Sequence, residues 1–336
     1  MPTTIVATGV IRDAVRLACR APSLHNSQPW RWVLEGETLH LFADADRVVR
    51  AADNSGREAL MACGAVLDHF RVAMTASGYT AIVDRFPNPN NHLHVASIDF
   101  IPLTYVTDGH HRRAKSILLR RTDRLPFAAP PGWDAFEAEL RLTVDSDLVR
   151  LDLVPEPLRP QLADASALTE SLRLYDSSYH AELQWWTAGF EVADGIPHSS
   201  LVSAAESDRV DIGRTFPVTH HRERRPEVAV DHAEVAVLST YDDMPLSVLR
   251  CGELLSALLL DATMAGLATC PLTHITELTA SKEIIAELIG QSSHDITPQV
   301  LIRIGLAPSI EGVPPPTPRR PVSEVFEFHP KGRSAE

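Results

Sequence analysis

The chain has 336 residues, 44% of them hydrophobic, and carries 31 Lys and Arg against 44 Asp and Glu, a formal charge of −13. At that length a fold buries roughly 75% of its unfolded surface, so neither metal nor disulfide is needed to hold it, and about two domain equivalents are expected. The acidic balance excludes nucleic acid as the expected partner and favours a small-molecule substrate.

The four cysteines, Cys19, Cys63, Cys251 and Cys270, stand far apart with no C-x-x-C pair, and Arg12 and Asp13 interrupt any apolar leader. These features predict a cytoplasmic, reduced chain. The most apolar run, Leu254 to Ala268, contains Asp261 and falls short of the ~20 residues a bilayer requires, so no membrane span is expected.

In chain order, Val10, Ile11, Ala14, Val15 and Ala18 predict a helix from Val10 to Arg20, closed by Pro22. A polar loop follows, APSLHNSQPWRW, with five hydrogen-bonding side chains between two prolines. Trp30 to Leu34 and Thr38 to Phe42 alternate around Glu35-Gly36-Glu37 and predict a hairpin. A core helix is expected over Gly56 to Ser77 and a strand over His94 to Phe100. From Val106 to Arg124 basic residues crowd together, which reads as a seam between halves.

Beyond it a helix is predicted over Trp133 to Leu140, a strand over Leu148 to Val154, and one long helix from Arg159 to Glu191. Ala193 to Asp231 has little periodicity and reads as a lid or binding excursion. Val235 to Tyr241 is a predicted strand, Leu249 to Ala268 a buried helix and Pro298 to Gly305 a strand. An apolar helix with small residues, then a short strand, thus occurs in each half, an approximate internal repeat.

No G-x-G-x-x-G, P-loop, G-x-S-x-G or H-E-x-x-H motif is present. The pairs His92-x-His94, His110-His111 and His220-His221 lack a cysteine or carboxylate at ligand spacing, so no metal is expected. Ser23 and His25 lie too near in sequence to act as nucleophile and base. By itself the loop is a capped helix exit beside two core tryptophans. The run Arg120-Arg121-Thr122-Asp123-Arg124 and the terminal Pro318-Arg319-Arg320-Pro321 supply donors that suit a phosphate ester. Either alone also reads as a solvated face.

Taken together, the loop, RRTDRLPF, AGLATCP (Ala265 to Pro271) and PRRP resemble the flavin-dependent nitroreductase family over most of the chain outside residues 155 to 235. The resemblance is nearer still to its Acg-like branch, the mycobacterial dormancy-associated type. It implies an α+β, three-layer α-β-α fold in which two nitroreductase-like halves are fused as a pseudo-dimer. The first half would span 1–115 and the second 116–330, with the lid or insertion at about 193–231 and a tail at 331–336. Beyond the pseudo-dimer, monomer and further homodimer both stay open.

The resemblance also implies FMN as cofactor and NADH or NADPH as electron donor. Ser23, Leu24 and Asn26 would touch the flavin ring and ribityl chain, with Pro22 and His25 beside them. Arg120, with Arg121 next to it, would bind phosphate, Thr122 the ribityl-phosphate region and Arg124 the N1/O2 edge. Arg319 and Arg320 match the last phosphate ligands, and Pro271, Leu272 and Thr273 the stretch facing N5. His274 stands where many members carry glycine. The RRTDR and S-x-x-N-x-Q-P-W motifs each occur once, which implies one complete site per chain.

The expected activity is NAD(P)H-dependent two-electron reduction of an electron-poor acceptor, a nitroaromatic or quinone. The flavin carries the chemistry, with no protein acid or base required. The alternatives are a protein that sequesters FMN or senses redox state beneath a closed lid, and a phosphate-ligand regulator without redox chemistry.

Overall fold

Ile11, Ala14, Val15 and Ala18 recur on one face of helix α1 (Thr8–Ala18), and those four are its buried residues. The computed structural model describes residues 5–144, 147–188, 195–220, 222–291, 295–310 and 314–330. After the loop, β1 (Trp30–Glu35) and β2 (Thr38–Ala43) form the expected hairpin, Trp30 opposite Ala43 and Glu35 opposite Thr38. Gly36 turns it at a φ of 64°, a conformation that suits glycine. Helix α2 (Arg57–Ala76) leads to β3 (Tyr79–Arg85) and β4 (His94–Pro102), and β4 lies between β3 and β2.

The inner face of this sheet packs Trp32, Leu39, Leu41, Ile98 and Phe100 against α1 and α2. The alternate positions Arg31, His40, Phe42, Ser97 and Asp99 stay half-buried. That face is partly covered, with Val33 buried and its polar neighbours keeping some contact with water.

The basic seam is a helix, α3 (Asp108–Leu119). Thr107 Oγ1 accepts from the His110 backbone N–H and His110 Nδ1 accepts from that of Thr107, a capping box with histidine in the usual Glu position. A boundary at 115/116 would cut this helix.

The second half comprises α4 (Trp133–Thr143), β5 (Val149–Leu153), α5 (Arg159–Arg173), α6 (Ser177–Thr187), α7 (Ala204–Ser207), β6 (Glu234–Thr240), α8 (Pro245–Met264), β7 (Ala268–Leu272), α9 (Thr279–Leu288) and β8 (Thr297–Gly305). Its antiparallel sheet runs β5-β6-β8-β7. One face packs on α4 and α8, the other on α5 and α9, so this half is three-layered.

The single helix predicted over 159–191 is broken. Asp176 starts α6 by accepting from the Tyr179 N–H at 3.0 Å, and a capping aspartate stops one helix as it begins the next. Residues 189–191 of that expectation lie outside the described residues, as do 193, 194 and 221 of the excursion and the tail 331–336.

At the chain end α10 (Val322–Val325) turns into β9 (Phe326–His329), which pairs parallel with β1. Residues assigned by sequence to the second half thus finish the first half's sheet. Between the sheets α2 and α8 cross in contact. A methyl on Gly64 would fall on the Leu249 carbonyl oxygen, and one on Gly252 on that of Met61. By length and composition α2 is apolar enough to cross a bilayer, but 78% of that stretch is buried in the fold.

Candidate functional site

The quoted loop is a left-handed turn built without glycine: His25, Asn26 and Gln28 have φ of 49°, 61° and 50°. Each costs roughly 1–2 kcal/mol against a right-handed conformation, so the loop must be held from outside. Ser23 Oγ accepts from the Gln28 N–H at 3.0 Å, Asn26 Nδ2 donates to the Pro318 carbonyl at 3.2 Å, and the Arg320 N–H donates to Gln28 Oε1 at 2.9 Å. Trp30 and Trp32, both fully buried, anchor its exit. The C-terminal PRRP arm thereby clamps the loop.

RRTDRLPF runs along the edge of the second sheet. Thr122 bridges Thr269 of β7, the Asp123 N–H donates to the Thr269 carbonyl at 3.0 Å, and Ala128 bridges Leu306. This docking brings Thr122 and Arg124 to the loop across the junction of the halves.

Two adjacent chambers with shared lining residues lie there. The larger, about 410 Å³, is lined by Pro22 to His25 on one wall and by Thr122, Arg124 and Pro271 to His274 on another. Glu58, Met61, Ala62 and Ala65 of α2 contribute to it, and Val202, Ser207, Val210, Asp211 and Gly213 to Phe216 come from the excursion. The smaller, about 60 Å³, shares Pro22, Ser23, Thr122 and Arg124 and adds Arg20, Asn26, Arg120, Arg121 and Arg319. Among the described residues, no carboxylate lines it.

That chamber is strongly cationic, with Arg20, Arg120, Arg121, Arg124 and Arg319 in its lining. Arg120 Nη2 donates to the Arg20 carbonyl, but its Nε and Nη1 are buried and have no partner. Burial, then Arg20, pulls the Arg120 pKa down to about 10, and burial, then Arg120, pulls that of Arg319 down to about 9. Arg319 also donates to the carbonyls of Cys19 and Arg20 at the end of α1, where a cation meets the negative end of the helix dipole. Arg121 is exposed and donates to the Pro314 carbonyl. Unpaired buried N–H groups and like charges at close range are the conditions that an anion relieves.

In the larger chamber Arg124 lies over the ring of Phe216, 5.0 Å from its centroid, and His25 meets the same ring edge-on at 6.1 Å. Both ring nitrogens of His25 lack partners, and burial holds its pKa well below the usual value, so it is neutral. His274 is also buried and neutral, its Nε2 2.9 Å from Ser166 Oγ. Arg214 pairs with Glu277 and donates to the Tyr179 hydroxyl at 2.8 Å. Burial opposes its charge, but Glu277 carries its pKa upward overall. Glu58 is pushed up to about 8, chiefly by burial and then by Glu277, against the pull of Arg57.

Of the residues singled out by sequence, Pro22, Ser23, Leu24, His25, Thr122, Arg124, Pro271, Leu272 and Thr273 line the larger chamber, and Asn26, Arg120, Arg121 and Arg319 the smaller. Arg320 does not join them. Its guanidinium donates to the Gln28 and Glu324 carbonyls and lies 3.6 Å from Asp44, partners that hold it against the loop and α10. Sequence reasoning missed Glu58, Arg214 and Phe216. Glu58 reads as an ordinary acid in a first helical turn, and the other two lie in a stretch without periodicity.

Comparison with known proteins gives the class. "Putative NAD(P)H nitroreductase Rv3131" of Mycobacterium tuberculosis H37Rv is 34% identical over 322 residues, covering 95% of this chain and 91% of the relative. The chain belongs to the NAD(P)H nitroreductase family of these proteins. Within it, "Putative NAD(P)H nitroreductase acg" of the same strain is 66% identical over 331 residues, 98% of this chain and 99% of the relative. No family model matches the chain. A solved nitroreductase-type structure from Anabaena variabilis covers 89% of this chain at 10% identity and a TM-score of 0.49, a likeness too slight to carry an argument.

Proposed function

We propose that this chain is an FMN-binding oxidoreductase that passes two electrons from NADH or NADPH to an electron-poor acceptor, a nitroaromatic or a quinone. The observation that carries the reading is an arginine chamber, lined by no carboxylate among the described residues, that shares Pro22, Ser23, Thr122 and Arg124 with a larger chamber walled by Pro22 to His25 and Pro271 to Thr273. Membership in a family whose relatives are named NAD(P)H nitroreductases supports the electron donor.

When bound, FMN supplies the two-electron chemistry. Arg120, with two free buried N–H groups, and Arg319 would hold the phosphate; Ser23 and Thr122 line both chambers and suit the polar chain between phosphate and ring. Arg124, in the wall of the larger chamber, would supply positive charge to stabilise a ring that gains negative charge on reduction. The neutral rings of His25 and His274 fill the walls without adding charge, and Arg214 keeps its charge on Glu277.

The fused pseudo-dimer belongs to the same proposal, with halves meeting near α3 and one site per chain. The reciprocal packing of Gly64 and Gly252 on Leu249 and Met61 supports it. Four free, buried thiols suit a cytoplasmic setting, and the substrate is a small molecule.

A second reading, FMN held beneath a closed lid with little turnover, is favoured by Phe216 lying on Arg124. The excursion is also tied down, by Arg225 to Asp123 and by Arg303 to Asp231, both at 2.6 Å. One experiment separates the two. Protein purified with FMN and mixed anaerobically with NADPH or NADH is expected to bleach within seconds to minutes. A flavin that binds yet stays oxidised supports the lid-closed reading, and protein that takes up no flavin contradicts both.

A further inference from the structure

Three acids line the larger chamber, Glu58, Glu170 and Asp211. Asp211 is held by Arg159 through two 2.8 Å bonds, and Glu170 engages Thr215. Glu58 is different. It is 4% exposed, its Oε1 accepts from Arg57 Nη2 at 2.9 Å, and its Oε2 is buried with no partner. Arg57 cannot turn to serve that oxygen, because its guanidinium also donates to the Gln299 carbonyl and Oε1 at 2.8 Å and to Thr276 at 3.2 Å. The same bonds to Thr276 fix the start of α2 beside the His274–Thr276 turn.

We propose that Glu58 is the acid of this site, its carboxyl donating a hydrogen bond to an oxygen of the bound acceptor and delivering the proton that accompanies the electrons. The proposal rests on the oxidoreductase reading.

The charges around Glu58 decide where the proton sits. Asp53 and Arg57 lie beside it on its own segment, Glu277 follows the His274 turn, Arg214 comes from the excursion, and Lys282 approaches from α9. Glu277 is held by two arginines, Arg173 and Arg214, whereas Glu58 is hydrogen-bonded to Arg57 through one oxygen, with Arg214 and Lys282 nearby. Burial, then Glu277, raises the Glu58 pKa to about 8, so its carboxyl holds a proton at neutral pH. A protonated carboxyl with a free oxygen then offers an O–H to whatever enters the chamber.

For a quinone, bound FMN reduced by NAD(P)H would supply two electrons and one hydrogen, and the second hydrogen would come as a proton from Glu58. The Glu58 O–H bond breaks, an O–H bond forms on the acceptor, and Glu58 is left as a carboxylate against Arg57. It regains a proton from water after product leaves. The acceptor class is thereby narrowed to oxygen-bearing molecules that need a proton with their electrons.

The test is Glu58→Gln, which keeps size and hydrogen bonding and removes the proton. Reoxidation by a benzoquinone should slow on the order of a hundredfold relative to the rate at which NADPH bleaches the same preparation. Reoxidation by ferricyanide, which takes electrons without protons, should be unchanged. The benzoquinone rate of the unmodified protein should fall as the pH rises through the Glu58 titration, and the variant should show no such fall.

A second readout needs no flavin. A carboxyl whose folded pKa is raised favours folding below its unfolded value and loses that contribution as pH rises toward the folded one. The melting temperature of unmodified apo-protein should therefore drop over that window relative to Glu58→Gln. Equal benzoquinone rates and pH profiles, equal slowing with ferricyanide, or parallel melting curves would each overturn the proposal. Absence of flavin binding or bleaching in the unmodified protein defeats the underlying reading instead, and Glu58 then has no electron transfer to serve.

Discussion

Arg120 is a guanidinium placed where a charge is least at home. It is 5% exposed, Arg20 and Arg319 are its charged neighbours, and two of its nitrogens find no acceptor. Such a group weakens the empty protein and strengthens the complex with an anion, so its removal should act in opposite directions on the two. Arg120→Met is expected to bind FMN roughly ten- to a hundredfold more weakly, to bind riboflavin, which lacks the phosphate, about as before, and to melt no lower than the parent without ligand. Calorimetric titration with each flavin checks this, and equal losses for both would place Arg120 away from the phosphate. The motif containing Arg120, Thr122 and Arg124 was legible in sequence because charge clustering needs no knowledge of the fold. Adjacent arginines look alike in a string, and only the fold separates them, Arg319 lining the chamber and Arg320 lying beside Asp44.

At the scale of elements, the buried crossing of α2 and α8 joins the two sheets. The Met61-Ala62-Cys63-Gly64 and Leu249-Arg250-Cys251-Gly252 stretches pack each glycine on the carbonyl of the other's first residue. A methyl group there meets backbone, which cannot rotate aside. Gly64→Ala and Gly252→Ala are each expected to cost about 3 kcal/mol or more, the upper end for overpacking, read as a lower midpoint in thermal unfolding. Gly9→Ala, at a position with open space, serves as the control. Periodicity exposed α1, α2, α8 and the hairpin, whose buried faces are strongly apolar. It did not expose β3 or β9, edge strands whose residues are mostly half-buried or exposed, nor β7, which is five residues long and contains a proline. The break between α5 and α6 was missed because Asp176 can cap a helix or lie on its polar side, and only the bond to Tyr179 decides.

For the whole molecule, the walls of the two chambers come from both ends of the chain and its middle. The loop belongs to the first half, the arginine run and β7 to the second, and Arg319 to an arm that returns to clamp the first. Sequence motifs indicated this convergence through resemblance, whereas the excursion's part in it rests on tertiary ion pairs such as Arg225–Asp123, which have no local signature. Because the arginine run and the loop each occur once, the account predicts one flavin for each chain, against two for a symmetric pair of subunits. The direct measurement is titration of the apo-protein with FMN, followed by quenching of flavin fluorescence to a stoichiometric end point. One FMN bound per chain, lost together with phosphate-end affinity in Arg120→Met, is the predicted result; an end point at two, or no saturable binding at all, would contradict it.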